Sequence, residues 1–256
     1  MNLDLKLSNE IWEGLVIDTE LVQPAPTLQR PLLKNVLRKI GPFPEEALLL
    51  GLADDGFPVL LNLWDPAPGP ILIAGDSETG KTDLLKMIAN FVVSTHQPYE
   101  IQYGVMTARP YEWARYADYP HCIGVFSTQE TGAMNLIRAL AAWIEMHRNS
   151  RQSILLFVDE LVDLIYWQSG LGRELRRLLL CGPENKIWPV VTVNLENPQA
   201  VAPWLGYFHT KIYGYTNYRS TIDNDGSQDA GFETLSNGVE FSLRENSQWI
   251  RFRIPR

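Results

Sequence analysis

Residues Gly75 to Thr82 read GDSETGKT, the pattern G-x-x-x-x-G-K-[ST] met at every fixed position. The apolar run Ile71 to Ala74 (ILIA) precedes it and the helical pattern TDLLKMIANFVV follows it, so the motif lies between a strand and a helix. In that setting the loop turns its backbone N–H groups inward as an anion nest, and the helix N-terminus adds a favourable dipole. The expected nucleotide contacts are Gly75, Asp76, Ser77, Glu78, Thr79, Gly80, Lys81, Thr82 and Asp83. Lys81 is expected to reach the β and γ phosphates of a bound nucleoside triphosphate, and the Thr82 hydroxyl to ligate Mg2+. Glu78 is irregular, a carboxylate where such loops often carry glycine; it either weakens phosphate binding or points to solvent.

A phosphate loop needs an acidic partner at the end of a neighbouring apolar strand, and Ser153 to Glu160 (SILLFVDE) supplies one. Asp159 is the candidate for the magnesium shell and Glu160 for orienting and activating an attacking water. The competing reading is that both acids cap the helix starting at Leu161, where first-turn carboxylates are favoured.

Outward from these motifs, apolar runs alternate with helical ones, which predicts an α/β fold: a mainly parallel sheet with helices on both faces. Candidate strands are Ile71 to Ala74, Ile101 to Met106, Cys122 to Phe126, Ile154 to Val158 and Val190 to Asn194. Candidate helices are Arg30 to Ile40, Lys81 to Thr95, Thr128 to Arg148, and one or two between Leu161 and Leu180. Before the phosphate loop, ALLLGLA and FPVLLNLW flank Asp54-Asp55-Gly56 as a hairpin; after Phe208, VEFSLRENSQWIRFRI predicts a second, antiparallel hairpin at the sheet edge. Residues 1–29, ending in the proline-rich VQPAPT, read as an arm or linker. Residues 30–256 then form one domain, with a small β elaboration at about 45–65 and the nucleotide-binding core at about 70–256.

With 45% hydrophobic and 20% charged residues the chain belongs with ordinary globular proteins rather than disordered ones. A formal net charge of −8 argues against a protein that coats nucleic acid over its whole surface, though not against DNA held in a narrow channel. No run approaches the roughly 20 apolar residues that span a bilayer, and MNLDLKLSNE lacks a signal core, which predicts a cytoplasmic location. Cys122 and Cys181 show no metal or disulfide spacing and read as buried small hydrophobes. His121 reads as structural, and Arg173, Arg176 and Arg177 as a solvated helix face. Tyr111 to Tyr116 (YEWARY) is the one aromatic–basic run suited to touching a strand or a partner.

From about Ala47 onward the order of segments resembles the motor domain of the FtsK/SpoIIIE DNA translocases, within the HerA–FtsK group of RecA-like P-loop ATPases. Tyr119-Pro120-His121 matches that family's Tyr and Pro-His, VDELVDLI its Asp-Glu-Leu-Ala-Asp-Leu, and Tyr218 to Gln228 (YRSTIDNDGSQ) its Ser-Arg-Thr-Ile-Leu-Asp-Gln-Ser-Gly, with Arg219, Asp223 and Gly226 in place. ETLSNGVEFSL resembles the segment leading into the final hairpin. The departures fall at catalytic places. TVNLENP stands where the family has Ala-Thr-Gln-Arg-Pro, which sets Asn194 in the place of the γ-phosphate-sensing Gln with one methylene less reach. Gly182 to Lys186 (GPENK) lacks the family's arginine, and Asp-Pro-Lys becomes Thr107-Ala108-Arg109. Arg219 is the candidate substitute finger, set against an ion pair with Asp223 or Asp225.

The resemblance implies ATP and Mg2+ as cofactors, DNA-dependent ATP hydrolysis, and a homo-oligomeric ring, a hexamer, that moves double-stranded DNA with little sequence preference. The departures leave a second reading, a slow ATP-binding switch that regulates a partner. A third is a protein-secretion ATPase.

Overall fold

A computed structural model describes residues 30–146, 151–196, 198–217, 231–245 and 248–256. Its frame is a ten-stranded sheet in the order β2-β1-β10-β9-β8-β3-β7-β6-β4-β5. The strands are β1 (Ala47–Ala53), β2 (Pro58–Asn62), β3 (Ile71–Gly75), β4 (Ile101–Thr107), β5 (Cys122–Ser127), β6 (Ser153–Asp159), β7 (Ile187–Asn194), β8 (Thr210–Tyr213), β9 (Glu240–Glu245) and β10 (Gln248–Arg253). From β8 to β5 the pairing is parallel; from β8 to β2 it is antiparallel. The antiparallel flank contains the C-terminal hairpin as expected, but the outermost place goes to β2, because β1 pairs with β10.

The parallel strands are hydrophobic because both sheet faces are covered. Every residue of β3 and of β6 is buried. On one face α1 (Leu33–Ile40) and α2 (Lys81–Thr95) pack over Leu49, Ile71, Tyr103 and Phe157. On the other, α3 (Thr131–Met146), α4 (Leu161–Trp167) and α5 (Gly172–Cys181) pack over Leu72, Leu156 and Val191. Strand alternation therefore sends successive residues of one strand into two separate cores.

Several expectations change in detail. β7 begins at Ile187, three residues before its expected start, with Trp188 fully buried; Pro189 inside the run masks the strand, since proline cannot donate to a ladder. α3 starts at Thr131 rather than Thr128, because Thr128 N–H donates to Thr107 O and Glu130 N–H to Ser127 O in a turn. The YEWARY run is not a continuous aromatic strip: Trp113 is fully buried and Tyr116 nearly so, packed edge to face, and Tyr111 alone of its aromatics projects outward, beside the exposed Arg115. Cys122 and Cys181 are half-buried rather than buried, one opening the edge strand β5 and the other ending α5. His121 is structural, buried with Nε2 against His96 O at 2.9 Å. Arg177 pairs with Glu145 and Arg173 with Glu174, while Arg176 lies over the Trp204 ring.

Candidate nucleotide site

The carboxyl ends of β3, β7, β6 and β4 lie side by side, and the loops leaving them enclose a cleft of about 600 Å³, ample for a nucleotide. Residues 75–82 leave β3 and run into α2. Two of them turn with positive φ, Glu78 at 59° and Gly80 at 82°. Glycine is demanded at 80 twice over, since a Cβ there would lie 2.6 Å from Gly238 Cα. Gly238 itself donates its N–H to Thr79 O, so the segment entering β9 braces the loop from behind. Glu78 is exposed at the cleft mouth and occupies the left-handed conformation that glycine usually takes.

Lys81 is folded into the loop it belongs to, with Nζ donating to Gly75 O at 3.0 Å and Asp76 O at 2.6 Å. Burial lowers its pKa, opposed by the negative charges of Glu160, Asp159, Asp76 and Glu196. Asp76 faces away from the cleft: its carboxylate accepts from Thr216 Oγ1 at 2.6 Å and Asn217 N–H at 3.0 Å, and its own N–H donates to Tyr215 O. These bonds tie the first turn of the loop to the strand exit of β8.

Asp159, at the end of β6, is 5% exposed and accepts from four donors. They are Thr82 Oγ1 at 2.8 Å, Thr107 Oγ1 at 3.2 Å, Trp113 Nε1 at 3.4 Å and Thr192 Oγ1 at 3.4 Å. The predicted magnesium pair, Thr82 and Asp159, is thus brought together across 77 residues. A hydroxyl and a carboxylate at the mouth of an anion nest form an all-oxygen donor set that suits Mg2+, whose role when bound is to screen phosphate charge. One expectation about the frame is corrected here: β6 is not the neighbour of β3, because β7 lies between them. Asp159 still reaches Thr82, in the first turn of α2, at 2.8 Å.

Glu160 follows with φ 82°, a strained backbone for a residue with a Cβ. Its N–H donates to Thr192 Oγ1 and its Oε1 accepts from Asn194 N–H at 3.3 Å. Burial raises its pKa to about 7, the nearby Lys81 ammonium pulling the other way. Its carboxylate is therefore held as a proton acceptor poised near neutrality, which is where a general base is most effective. The helix-cap reading does not account for Asp159, which spends its acceptors on the cleft, whereas Glu160 stands at the N-cap of α4 with the Val162 N–H also acting on its carboxylate.

Asn194 ends β7 at the cleft, with Nδ2 donating to Ser77 Oγ at 2.8 Å and Glu196 Oε2 at 3.3 Å. Glu196 was not among the expected residues, yet its Oε1 accepts from Ser77 N–H at 3.2 Å. Counting back from Pro198 instead of from the strand would have found it: within Ala-Thr-Gln-Arg-Pro that count sets Glu196, not Asn194, in the Gln position. Lys86, Arg109 and Glu112 also line the cleft, Glu112 pairing with Lys86 at 3.3 Å and Arg109 at 3.0 Å. Asp83 is at the rim and pairs with Arg30. Gly182 to Lys186 lies at the opposite end of β7, where Lys186 Nζ donates to Leu63 O and Trp64 O. Arg219, Asp223 and Gly226 lie outside the described residues.

No family model matches the chain and no curated protein matches it in sequence. Solved structures do match it in fold. It is similar to the cytoplasmic domain of the Thermomonospora curvata type VII secretion ATPase EccC over 89% of this chain and 32% of that one, with TM-score 0.70 and 12% identity. It is similar to the pCW3 conjugation coupling protein TcpA, solved with ATPγS, over 91% and 71%, with TM-score 0.66 and 11% identity. The fold, a ten-stranded mainly parallel sheet with helices on both faces, is shared with these ATPase structures. A smaller structure, the genome-packaging NTPase B204 of Sulfolobus turreted icosahedral virus 2 in complex with AMP, matches 75% of this chain and 99% of its own, with TM-score 0.54 and 14% identity. The chain spans between a third and a half of the secretion ATPases it resembles. Among the described residues no helix is long and apolar enough to cross a membrane.

Proposed function

We propose that this chain is an ATP-hydrolysing motor unit that assembles with copies of itself into a ring, a hexamer, and moves double-stranded DNA. The observation that carries the ATPase reading is the convergence of Lys81, Thr82, Asp159 and Glu160 on one cleft, with Thr82 Oγ1 bonded to Asp159 and Glu160 held near neutrality by burial. Lys81 moves from its carbonyl partners to the phosphates, the N–H groups of residues 78–82 cradle them, and Glu160 accepts the proton of the attacking water. DNA as the cargo rests on the family resemblance and on the likeness to a packaging NTPase and a conjugation coupling protein.

Steady-state ATP hydrolysis with and without long double-stranded DNA tests this, with Lys81→Ala and Glu160→Gln as controls. Turnover raised by DNA and lost in both variants is expected; turnover indifferent to DNA would remove the cargo assignment. Polypeptide is the second reading, favoured by the likeness to EccC and to the cytoplasmic domain of EssC. It predicts stimulation by a secreted polypeptide and none by DNA. A slow switch is the third, favoured by Glu78 in the phosphate loop, by Asn194 at the end of β7 and by the absence of an arginine from Gly182 to Lys186 (GPENK). Tight ATP binding with turnover that nothing stimulates would establish it.

A further inference from the structure

Glu196 is an exposed carboxylate that spends one oxygen on the phosphate loop and the other on the end of β7. Oε1 accepts the Ser77 N–H at 3.2 Å and Oε2 accepts Asn194 Nδ2 at 3.3 Å. The same Asn194 amide donates to Ser77 Oγ at 2.8 Å, and Glu196 N–H returns to Asn194 Oδ1 at 2.9 Å, so the carboxylate is held by a closed set of bonds. A surface glutamate ordinarily samples many rotamers in water. Here two accepted hydrogen bonds hold it as an anion beside a loop whose N–H groups are built to receive anions, in an exposed setting where water can take over either bond.

We propose that Glu196 is an internal competitor for the phosphate loop that sets the preference between nucleoside diphosphate and triphosphate. A triphosphate brings more negative charge to the loop than a diphosphate does, and brings it to a nest beside this carboxylate. Like charges at such distances repel, and the repulsion grows as the site loses water. Lys81, the cation that must neutralise the terminal phosphate, also feels the Glu196 charge, so the two anions share one counter-ion. Asn194 supplies the release: its amide, which now holds Glu196, is the donor a terminal phosphate would recruit, freeing the carboxylate to swing into solvent. Nucleotide state would thereby be written into the position of the segment after β7.

This inference rests on the ATP-binding reading and is tested apart from it. Binding of ADP and of a non-hydrolysable ATP analogue, each with Mg2+, is measured by calorimetry on the full chain, Glu196→Gln and Glu196→Ala. Removing one partly screened charge is expected to tighten the analogue about three- to ten-fold while ADP changes by less than about two-fold. Glutamine keeps the shape and the acceptor for Ser77 N–H but replaces the acceptor for Asn194 Nδ2 with a donor, and alanine removes both, so agreement between the two variants assigns the effect to charge rather than to a particular bond. An analogue-to-ADP ratio that stays within two-fold in both variants, with both nucleotides bound by the parent chain, overturns the role of Glu196 alone. Weaker analogue binding in Glu196→Gln also overturns it, making the carboxylate a phosphate-site ligand. Failure of the parent and both variants to bind either nucleotide overturns the ATP-binding reading and this inference with it.

Discussion

The ends of β6 and β7 lie side by side in the cleft and are built to opposite rules. At the end of β6, Asp159 is 5% exposed and held by four donors from α2, β4, the turn after β4, and β7. At the end of β7, Asn194 is half-buried and Glu196 exposed, and they bond chiefly to each other and to Ser77. The first arrangement is rigid because every acceptor is used in a low-dielectric setting, where loss of one partner leaves a buried orphan. The second is easily rearranged, since water can replace each bond that breaks. On the proposed reading, metal and phosphate chemistry falls to the rigid half and discrimination of nucleotide state to the loose one.

The largest effect that could break this contrast is at Lys81. Lys81→Ala removes the cation that serves the phosphates, and ATP binding measured by calorimetry should weaken by at least about 100-fold. Asp159→Ala should cost stability as well as Mg2+-dependent binding, roughly 2–4 kcal/mol in chemical denaturation, because four donors lose their acceptor. An Asp159→Ala protein as stable as its parent would show that the β6 end is no more rigid than the β7 end.

Glu160→Gln should leave nucleotide binding within a few-fold of the parent while lowering hydrolysis by about 100-fold or more, as loss of a general base does. Hydrolysis by the parent should also follow pH. Because the base form of Glu160 is the active one and its pKa is raised to about 7, kcat/KM should rise with pH below that value and level off above it. A flat profile between pH 6 and 8 would mean that Glu160 titrates like an ordinary carboxylate or takes no proton.

A smaller effect tests how far the loop depends on its distant brace. Asp76→Ala abolishes the acceptor for Thr216 Oγ1 and Asn217 N–H without touching the cleft. Nucleotide affinity should fall about five-fold and stability by roughly 1–2 kcal/mol, read by calorimetry and denaturation. Affinity unchanged with stability reduced would separate the brace from the site.

How much of this was legible in the sequence follows the same division. GDSETGKT and SILLFVDE are local patterns, each a short apolar strand ending in the residues that do the chemistry, and the sheet class follows from strands alternating with helices. The bonds of Asp76 to residues 140 and 141 positions away have no local signature. Nor does the insertion of β7 between β3 and β6, because strand order depends on how crossovers pack, not on any one strand. Trp113 looked like part of a surface run since its neighbours are Arg109, Glu112 and Arg115; only the chain reversal after β4 carries its indole to Asp159. The segment TVNLENP supports two alignments, Asn194 counted from the strand end and Glu196 counted back from Pro198, and sequence alone does not choose between them; the loop folded back on Ser77 brings both to the cleft.

The smallest expected effect is the most direct probe of the rigid half, and its sign is fixed by the direction of the Glu160 shift. A carboxyl whose pKa is raised from 4.5 in the unfolded chain to about 7 in the folded one is bound to its proton more tightly when folded. Its contribution to stability is fully present below pH 4.5 and is lost as pH rises through about 7, where folding must bury a charge that the unfolded chain leaves in water. Glu160→Gln keeps the acceptor for Asn194 N–H and removes that charge. The variant should therefore be more stable than the parent at pH 8 by at least about 1 kcal/mol, the value of about 7 already including the attraction to Lys81, and equal to it near pH 4. Thermal denaturation at the two pH values measures the difference. A variant less stable at pH 8 would mean that the Lys81 ammonium outweighs burial, and that the catalytic carboxylate is stabilised as an anion in place rather than held under strain for the reaction.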